Sequence, residues 1–293
     1  MIEPTFQILV ERCQAPIQLV DGGTVGLRHL GVSFGGAADP MALGYTNHLL
    51  GKPTHSCALE IRFGQCELRF EQAGLIALGG ADAKARLNGK LLDNWQCVAV
   101  KSGDNLQLSM PQFGVYTYLA MAADFSGIAN SDNYQTGDAI KYTPTQSSAR
   151  GPLPISLRPD YAGNLTLKLI PAQSFNQLTP ANLASLLNVE AQLMGDSNTM
   201  GVRVDSELDA KLMPLMRSIP TLPGSVQLPP DGNPIVLLKD CQTIGGYPQI
   251  GRVHALQLGL LAQRRPGQKL RWQLASCQQE WRAWRKWRNW LAS

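Results

Sequence analysis

Residues 229–253, PPDGNPIVLLKDCQTIGGYPQIGRV, constrain the fold more than any other stretch, because they allow only four consecutive apolar side chains before polarity returns. Pro229-Pro230-Asp231-Gly232 in front is turn chemistry: proline fixes φ and glycine supplies a φ > 0 position. A four-residue apolar run bounded in this way suits an inner strand and is too short for a buried helix. Behind it, Lys239, Asp240, Gln242, Thr243, Tyr247 and Gln249 follow within eleven positions. Gly245-Gly246 lets the backbone come close to a ligand or to another piece of chain. The stretch therefore reads as a strand that delivers a polar loop. The other reading is a tight β-barrel corner whose polar groups satisfy their own backbone.

The same punctuation recurs along the chain. Nineteen prolines and twenty-eight glycines break it into short apolar runs, and charged residues make up only 16%, which argues for β-rich over helical architecture. A length of 293 residues suits two domains of about 150 residues each. The net charge of +4 is modest and gathers toward the C-terminal end, so it does not call for nucleic acid. Six cysteines, at 13, 57, 66, 97, 241 and 277, show no C-x-x-C spacing. With no signal-peptide pattern at the start, they read as reduced thiols of a cytoplasmic protein. No apolar run approaches the roughly 18 residues of a membrane span.

Local signals divide the chain further. Residues 6–11 read as a first strand. Asp39-Pro40 opens a helix, with aspartate as N-cap, proline at the first helical position and Gly51 past the end. Residues 57–63 and 66–70 read as a hairpin around Gly64-Gln65, which would set Arg62 opposite Glu67 and Glu60 opposite Arg69 on the sheet surface. Asn88-Gly89 is a type I′ hairpin signal, and the strands that follow, to about residue 121, continue an antiparallel meander. Periodicity is lost from about 143 to 159, the best linker candidate. Thr179-Pro180 repeats the cap-plus-proline device, so each half has strands around one short helix. The boundaries expected are an N-terminal β-barrel module over 1–145, a C-terminal one over 160–276 and a basic, Trp-rich helix over 277–293. In that helix Trp281, Trp284, Trp287 and Trp290 recur at spacing three among arginines and a lysine. The apolar half-face can fold back on its own barrel, or meet a second copy, a partner protein, a membrane surface or nucleic acid.

Three blocks together resemble the biotin-dependent carboxyltransferase family, also called the allophanate hydrolase subunit 2 family. The first is Asp231-Gly232, Pro234-Ile235, Asp240, Gln242-Thr243, Gly245-Gly246-Tyr247-Pro248 and Ile250-Gly251. The second runs Asp21, Gly23, Gly26, His29, Gly31-Val32, Gly36-Ala37, Asp39 and Asn47. The third is Ser197-Asn198, Met200-Gly201 and Arg203. The resemblance implies a mainly β fold of two tandem cyclophilin-like β-barrel modules, each with a short helix. It also implies work as a 5-oxoprolinase component, with separate A and B subunits and ATP as co-substrate, opening the 5-oxoproline lactam to glutamate. Biotin would enter only for a carboxyltransferase acting on urea or a related amide. A third alternative is a regulatory subunit that binds a B-type partner.

No G-x-x-x-x-G-K-[ST] loop, H-E-x-x-H, G-x-S-x-G elbow, metal-spaced cysteine or histidine cluster or biotin-carrying Met-Lys-Met is present. The candidates are polar groups that the resemblance brings together. As catalytic groups these are His29 and Asp240 for proton transfer and Gln242 for a developing oxyanion. As substrate-binding groups they are Arg28, Asp39, Asn47, Lys239, Thr243, Gly245, Gly246 and Tyr247, with Arg28 and Lys239 suited to a carboxylate or phosphate. Asp39 reads equally as a helix cap, and Asp240 as a turn anchor. The chain departs from the family pattern at Thr24, Gly35, Thr199 and Cys241; at 24, 199 and 241 arginine is lost, and with it a bidentate anion clamp.

Overall fold

The computed structural model describes residues 6–206, 208–209 and 217–291, so residues 1–5 of the expected first module and the last two of the expected tail helix lie outside the described residues. The chain is mainly β and divides into two compact units. One comprises residues 1–23 and 39–161, the other residues 24–38 and 162–293. The segment 24–38 thus belongs with the C-terminal half although it lies in the N-terminal half of the sequence.

The first unit is built from two antiparallel sheets. The seven-stranded sheet runs, in spatial order, Ala123–Phe125, Ala139–Pro144, Phe6–Cys13, Cys66–Phe70, Asn105–Leu108, Arg86–Leu87 and Lys90–Leu91. The six-stranded sheet runs Asn133–Tyr134, Ile17–Val20, Ala58–Arg62, Tyr116–Met121, Gly74–Gly80 and Gln96–Val100. Alternation sets the inner face: Cys66, Leu68 and Phe70 are buried while Glu67 and Arg69 face outward. They join Ile8, Leu19, Leu59 and Leu119 in one core, each such side chain contributing about 2 kcal/mol by burial. The Asn88-Gly89 turn is present, with both residues at positive φ between Leu87 and Lys90.

Two expectations fail here for one reason. Residues 57–63 and 66–70 do not form a hairpin, because strand Ala58–Arg62 pairs with Ile17–Val20 and Tyr116–Met121, whereas Cys66–Phe70 pairs with Phe6–Cys13 and Asn105–Leu108. Phe63, Gly64 and Gln65 take three successive left-handed conformations (φ 59°, 60° and 55°), and this corner passes the chain from one sheet to the other. A Cβ at Gly64 would run into the Ser109 carbonyl oxygen, so glycine is required there. The expected charge pairs are consequently replaced. Arg69 binds Glu11 and Glu71, Arg12 binds Glu67, and Glu60 lies only 4% exposed, accepting a 2.7 Å hydrogen bond from the Tyr118 hydroxyl. The meander fails likewise, since strands successive in sequence alternate between the two sheets.

Helix α1 (Pro40–Leu49) starts as expected, with the Asp39 carboxylate accepting from the Ala42 N–H at 3.0 Å and Gly51 at φ 67° after its end.

The second unit contains a closed seven-stranded barrel, in the order Leu165–Pro171, Gln249–Val253, Ser225–Gln227, Ile235–Leu237, Gly201–Asp205, Ala191–Leu193 and Lys269–Leu274. It closes where Leu165–Leu169 runs parallel to Leu270–Leu274. Closure leaves no unpaired edge. Leu167, Leu169, Val204, Val226, Val236, Ile250 and Leu270 fill it. Ile235–Leu237 is an inner strand, as its bounded apolar run predicts, and the turn before it closes with Gly232 N–H donating to the Pro229 carbonyl at 3.1 Å. Helix α2 (Pro180–Asn188) is capped by the Thr179 hydroxyl, and α3 (Ala255–Ala262) by the His254 ring.

The tail forms α4 (Cys277–Leu291), entered through a reciprocal capping box. Ser276 Oγ accepts from Gln279 N–H at 3.2 Å, and Gln279 Oε1 accepts from Ser276 N–H at 3.0 Å. Its most sheltered positions are Glu280, Trp284, Trp287, Trp290 and Leu291, not all four tryptophans, since Trp281 is 53% exposed. Glu280 is buried within 3.4 Å of Lys168 and 3.9 Å of His254, so the helix folds back on its own unit. Arg285 lies over the Trp281 ring at 4.5 Å and Arg288 over Trp284 at 5.2 Å, covering aromatic faces with charge. Among the described residues, no helix is long and apolar enough to cross a membrane.

Candidate functional site

The polar loop predicted from the sequence is held by the segment 24–38 of its own unit. The Gly35 N–H donates to the Lys239 carbonyl at 3.1 Å, and Lys239 Nζ donates to the Gly36 carbonyl at 2.7 Å. This two-way tie fixes the start of the loop. A short 3-10 turn, Arg28–Leu30, then presents Arg28, whose Nη2 donates to the Gln242 carbonyl at 2.7 Å and the Thr221 carbonyl at 3.0 Å. Cys241 Sγ lies 3.7 Å from the same nitrogen. Burial pushes the Cys241 thiol up from its ordinary pKa, against the opposing pull of Arg28, so it stays protonated. Carbonyl oxygens and a neutral thiol do not cancel a guanidinium. Among the described residues Arg28 has no carboxylate partner, and its Nη1 is buried with no acceptor.

Gln242 is the next residue in the cluster. Its Nε2 donates to Gln227 Oε1 at 3.4 Å, and its carbonyl also accepts from the Thr221 hydroxyl at 2.5 Å. Thr243 accepts through its carbonyl from the Thr221 N–H at 3.0 Å. Gly245 pairs with Ile219, and a Cβ there would run into Gln227 Nε2. The close approach foreseen at the double glycine is thus, at Gly245, an approach to the side chain of Gln227. Gln227 itself is 1% exposed, and its Nε2 has no acceptor among the described residues.

The other candidates fall into two groups. His29 sits in the same 3-10 turn as Arg28 with an exposed side chain, Tyr247 is 39% exposed on the loop, and Gly246 is half-buried beside it. Asp240 donates its N–H to the Thr199 carbonyl at 3.1 Å, pinning the loop to the third sequence block. Arg203 of that block ion-pairs with Asp231 of the first. Asp39 and Asn47 lie instead in the first unit, both 0% exposed. The Asp39 carboxylate caps α1 and accepts from the Tyr161 hydroxyl at 2.8 Å. Asn47 Nδ2 donates to the Ser56 carbonyl at 2.8 Å, and its Oδ1 has no partner among the described residues. The sequence reading missed Gln227 and Thr221. One signal for Gln227 was available: it is the lone amide in the run Ser225-Val226-Gln227-Leu228, otherwise suited to an inner strand.

Chemically, the cluster offers donors to an oxygen-rich ligand. Val25, Leu27, Leu30 and Val32 on the 24–38 segment, with Leu222, Ile244 and Tyr247, are exposed apolar side chains on the pieces of chain that build it. Among the described residues no group of three or more histidine, cysteine or acidic side chains is placed to hold a metal.

A two-unit, mainly β chain with a closed barrel and a guanidinium-braced polar loop defines a carboxyltransferase-type β domain. The chain belongs to the family described as carboxyltransferase domain, subdomain A and B, which matches residues 30–130 and 123–274. It is similar to the C subunit of 5-oxoprolinase from Escherichia coli K12, at 31% identity over 90% of this chain and 89% of the relative. It is also similar to the Haemophilus influenzae protein of the same name, at 30% identity over 94% and 92%. Among solved structures, TTHA0988 matches with a TM-score of 0.81 and 25% identity over 92% of this chain, which spans only 56% of TTHA0988. The K. lactis urea amidolyase matches with a TM-score of 0.87 over 97% of this chain, at 19% identity and over 20% of that enzyme, a likeness of fold.

Proposed function

We propose that this chain is the C subunit of an ATP-dependent 5-oxoprolinase, active only with partner A and B subunits, which opens the 5-oxoproline lactam to glutamate. What carries the reading is the end-to-end similarity to two proteins named as the C subunit of 5-oxoprolinase, 31% and 30% identical over 90% and 94% of this chain. The site geometry supports it. Opening a lactam places negative charge on the carbonyl oxygen, and the substrate also carries a carboxylate, so the site must supply several donors to oxygen. Arg28, Gln242 and the amides near Gly245 are of that kind, and His29 or Asp240 is the proton carrier within the same loop system. The exposed apolar side chains around the cluster suit a surface covered by a partner protein.

ATP supplies the energy to activate an inert amide. ATP is assigned as co-substrate to the assembled complex, and the sequence carries no glycine-rich phosphate loop. The test is reconstitution. Combined with A and B subunits, the chain is expected to release glutamate from 5-oxoproline only when ATP is present, and to release none alone. Biotin-dependent carboxylation of urea by the same preparation would favour a carboxyltransferase, and tight binding to B without glutamate release a regulatory subunit.

A further inference from the structure

We infer that Gln227, inside the barrel wall, is a substrate-binding residue: with Arg28 it binds the ligand's carboxylate, one oxygen accepting from Gln227 Nε2 and the other from Arg28 Nη1. The inference rests on the functional reading above and deepens it by naming the donors.

Two buried donors lie in one cluster without an acceptor among the described residues. Gln227 is 1% exposed and its Nε2 has no partner, although its Oε1 is engaged by Gln242 at 3.4 Å. Arg28 Nη1 is buried and equally unpaired, although its Nη2 makes two good hydrogen bonds. Leaving a buried donor unmet is unfavourable, and here two such donors belong to one cluster. The connections among them are short. Arg28 and the Thr221 hydroxyl share the Gln242 carbonyl, Gln242 touches Gln227, and Gly245 packs its backbone against Gln227 Nε2, with Thr221 Cγ2 at 3.2 Å from where a Cβ would stand.

The chemistry of the two donors selects the ligand group. One partly buried guanidinium without a carboxylate partner among the described residues, beside a neutral amide N–H, matches a single negative charge spread over two oxygens. A dianionic phosphate would call for more positive charge than Arg28 provides, and Lys239 Nζ already donates to Gly36. Gln227 fixes specificity as well as affinity, because an amide donor can read an acceptor oxygen and a carboxylate in its place would repel one. Its neighbour Gln242 holds the Gln227 amide by its oxygen and so keeps the N–H side turned to the ligand.

The experiment measures binding of 5-oxoproline and of 5-oxoprolinamide, its uncharged carboxamide, to the assembled complex with wild-type chain and with Gln227→Glu. The expected result is at least about tenfold weaker 5-oxoproline binding in Gln227→Glu, with 5-oxoprolinamide bound as well as or better than by the wild type. Gln227→Met, which places no charge in the barrel wall, guards against loss of folding and is expected to weaken 5-oxoproline but not to favour the amide. Unchanged 5-oxoproline affinity in either variant, or equal loss of both ligands in Gln227→Glu, overturns the inference while wild-type glutamate release keeps the functional reading. A wild-type complex that binds neither ligand and releases no glutamate overturns both.

Discussion

The two units each bury a polar cluster, and the clusters differ in whether their hydrogen bonds close. In the first unit the Tyr118 hydroxyl donates to Glu60 and accepts from the Asp39 N–H at 2.8 Å, while Asp39 accepts from Ala42 and Tyr161. Each donor there meets an acceptor, and burial with two neighbouring carboxylates holds the Tyr118 phenol well above its ordinary pKa. Such a network ties the start of α1 to the strand that carries Tyr118. In the second unit Arg28 and Gln227 each keep an N–H unmet among the described residues. The closed network suits a scaffold, and the open one is the cluster to which the carboxylate is proposed to bind. Both contain residues from the sequence blocks, so membership in a motif does not by itself separate the two roles.

The contrast is broken or sharpened first at Asp39. Asp39→Ala removes a cap worth about 1 kcal/mol and a charged hydrogen bond from Tyr161 worth about 2 kcal/mol, so urea unfolding is expected to show a loss of about 3 kcal/mol. A loss under about 1 kcal/mol would mean the first cluster is not structural. Gln242→Ala is the counterpart: kcat/KM of the complex is expected to fall by about 100-fold with folding stability within about 0.5 kcal/mol. An unchanged rate would reduce the loop to scaffold and erase the contrast.

Smaller effects probe the edges of each cluster. Gly245→Ala brings a methyl against Gln227 Nε2, a movable end of a side chain, so ligand affinity should drop by about tenfold while the melting temperature holds. Titration calorimetry and thermal melts on one sample check both halves of that statement.

The smallest effect lies at α4. Burial lowers the His254 pKa, with the Glu280 carboxylate opposing and Arg252 and Lys168 adding to the shift. A depressed folded pKa means the unfolded chain binds the proton first, so stability is complete above the unfolded value of about 6.5 and is lost as pH falls from there toward the folded value. His254→Asn keeps an N-cap for α3 and should flatten that part of the stability profile. A variant profile parallel to the wild type between pH 7 and 5 would rule out His254 as its source.

Much of this was legible before the fold was known, and the limits have physical causes. The caps at Asp39 and Thr179, the Asn88-Gly89 turn and the inner strand at 235 depend on near neighbours, and short-range chemistry determines them. The 63–65 corner does not: glycine followed by a polar residue suits a two-residue hairpin as well as a crossing between sheets, and only the partners of each strand decide. Glu60 was misread with it, because its burial follows from Tyr118, fifty-eight residues away. At the site, the loop around Gln242 stands out in the sequence. Gln227 is marked only as the lone amide of its run, a signal that gains meaning once its nitrogen is found without an acceptor among the described residues. The placement of segment 24–38 with the second unit is also non-local, resting on contacts such as Lys239 to Gly36 more than two hundred residues apart.

The most direct measurement follows the side-chain N–H signals of Arg28, Gln227 and Gln242 by nitrogen-edited NMR, with the labelled chain assembled with unlabelled A and B partners, as 5-oxoproline is added. The account predicts saturable downfield shifts of the Gln227 and Arg28 protons, and none at the Asp39 N–H that donates to the Tyr118 hydroxyl. Shifts confined to the first unit, or no shift at Gln227 while glutamate is being released, would contradict it.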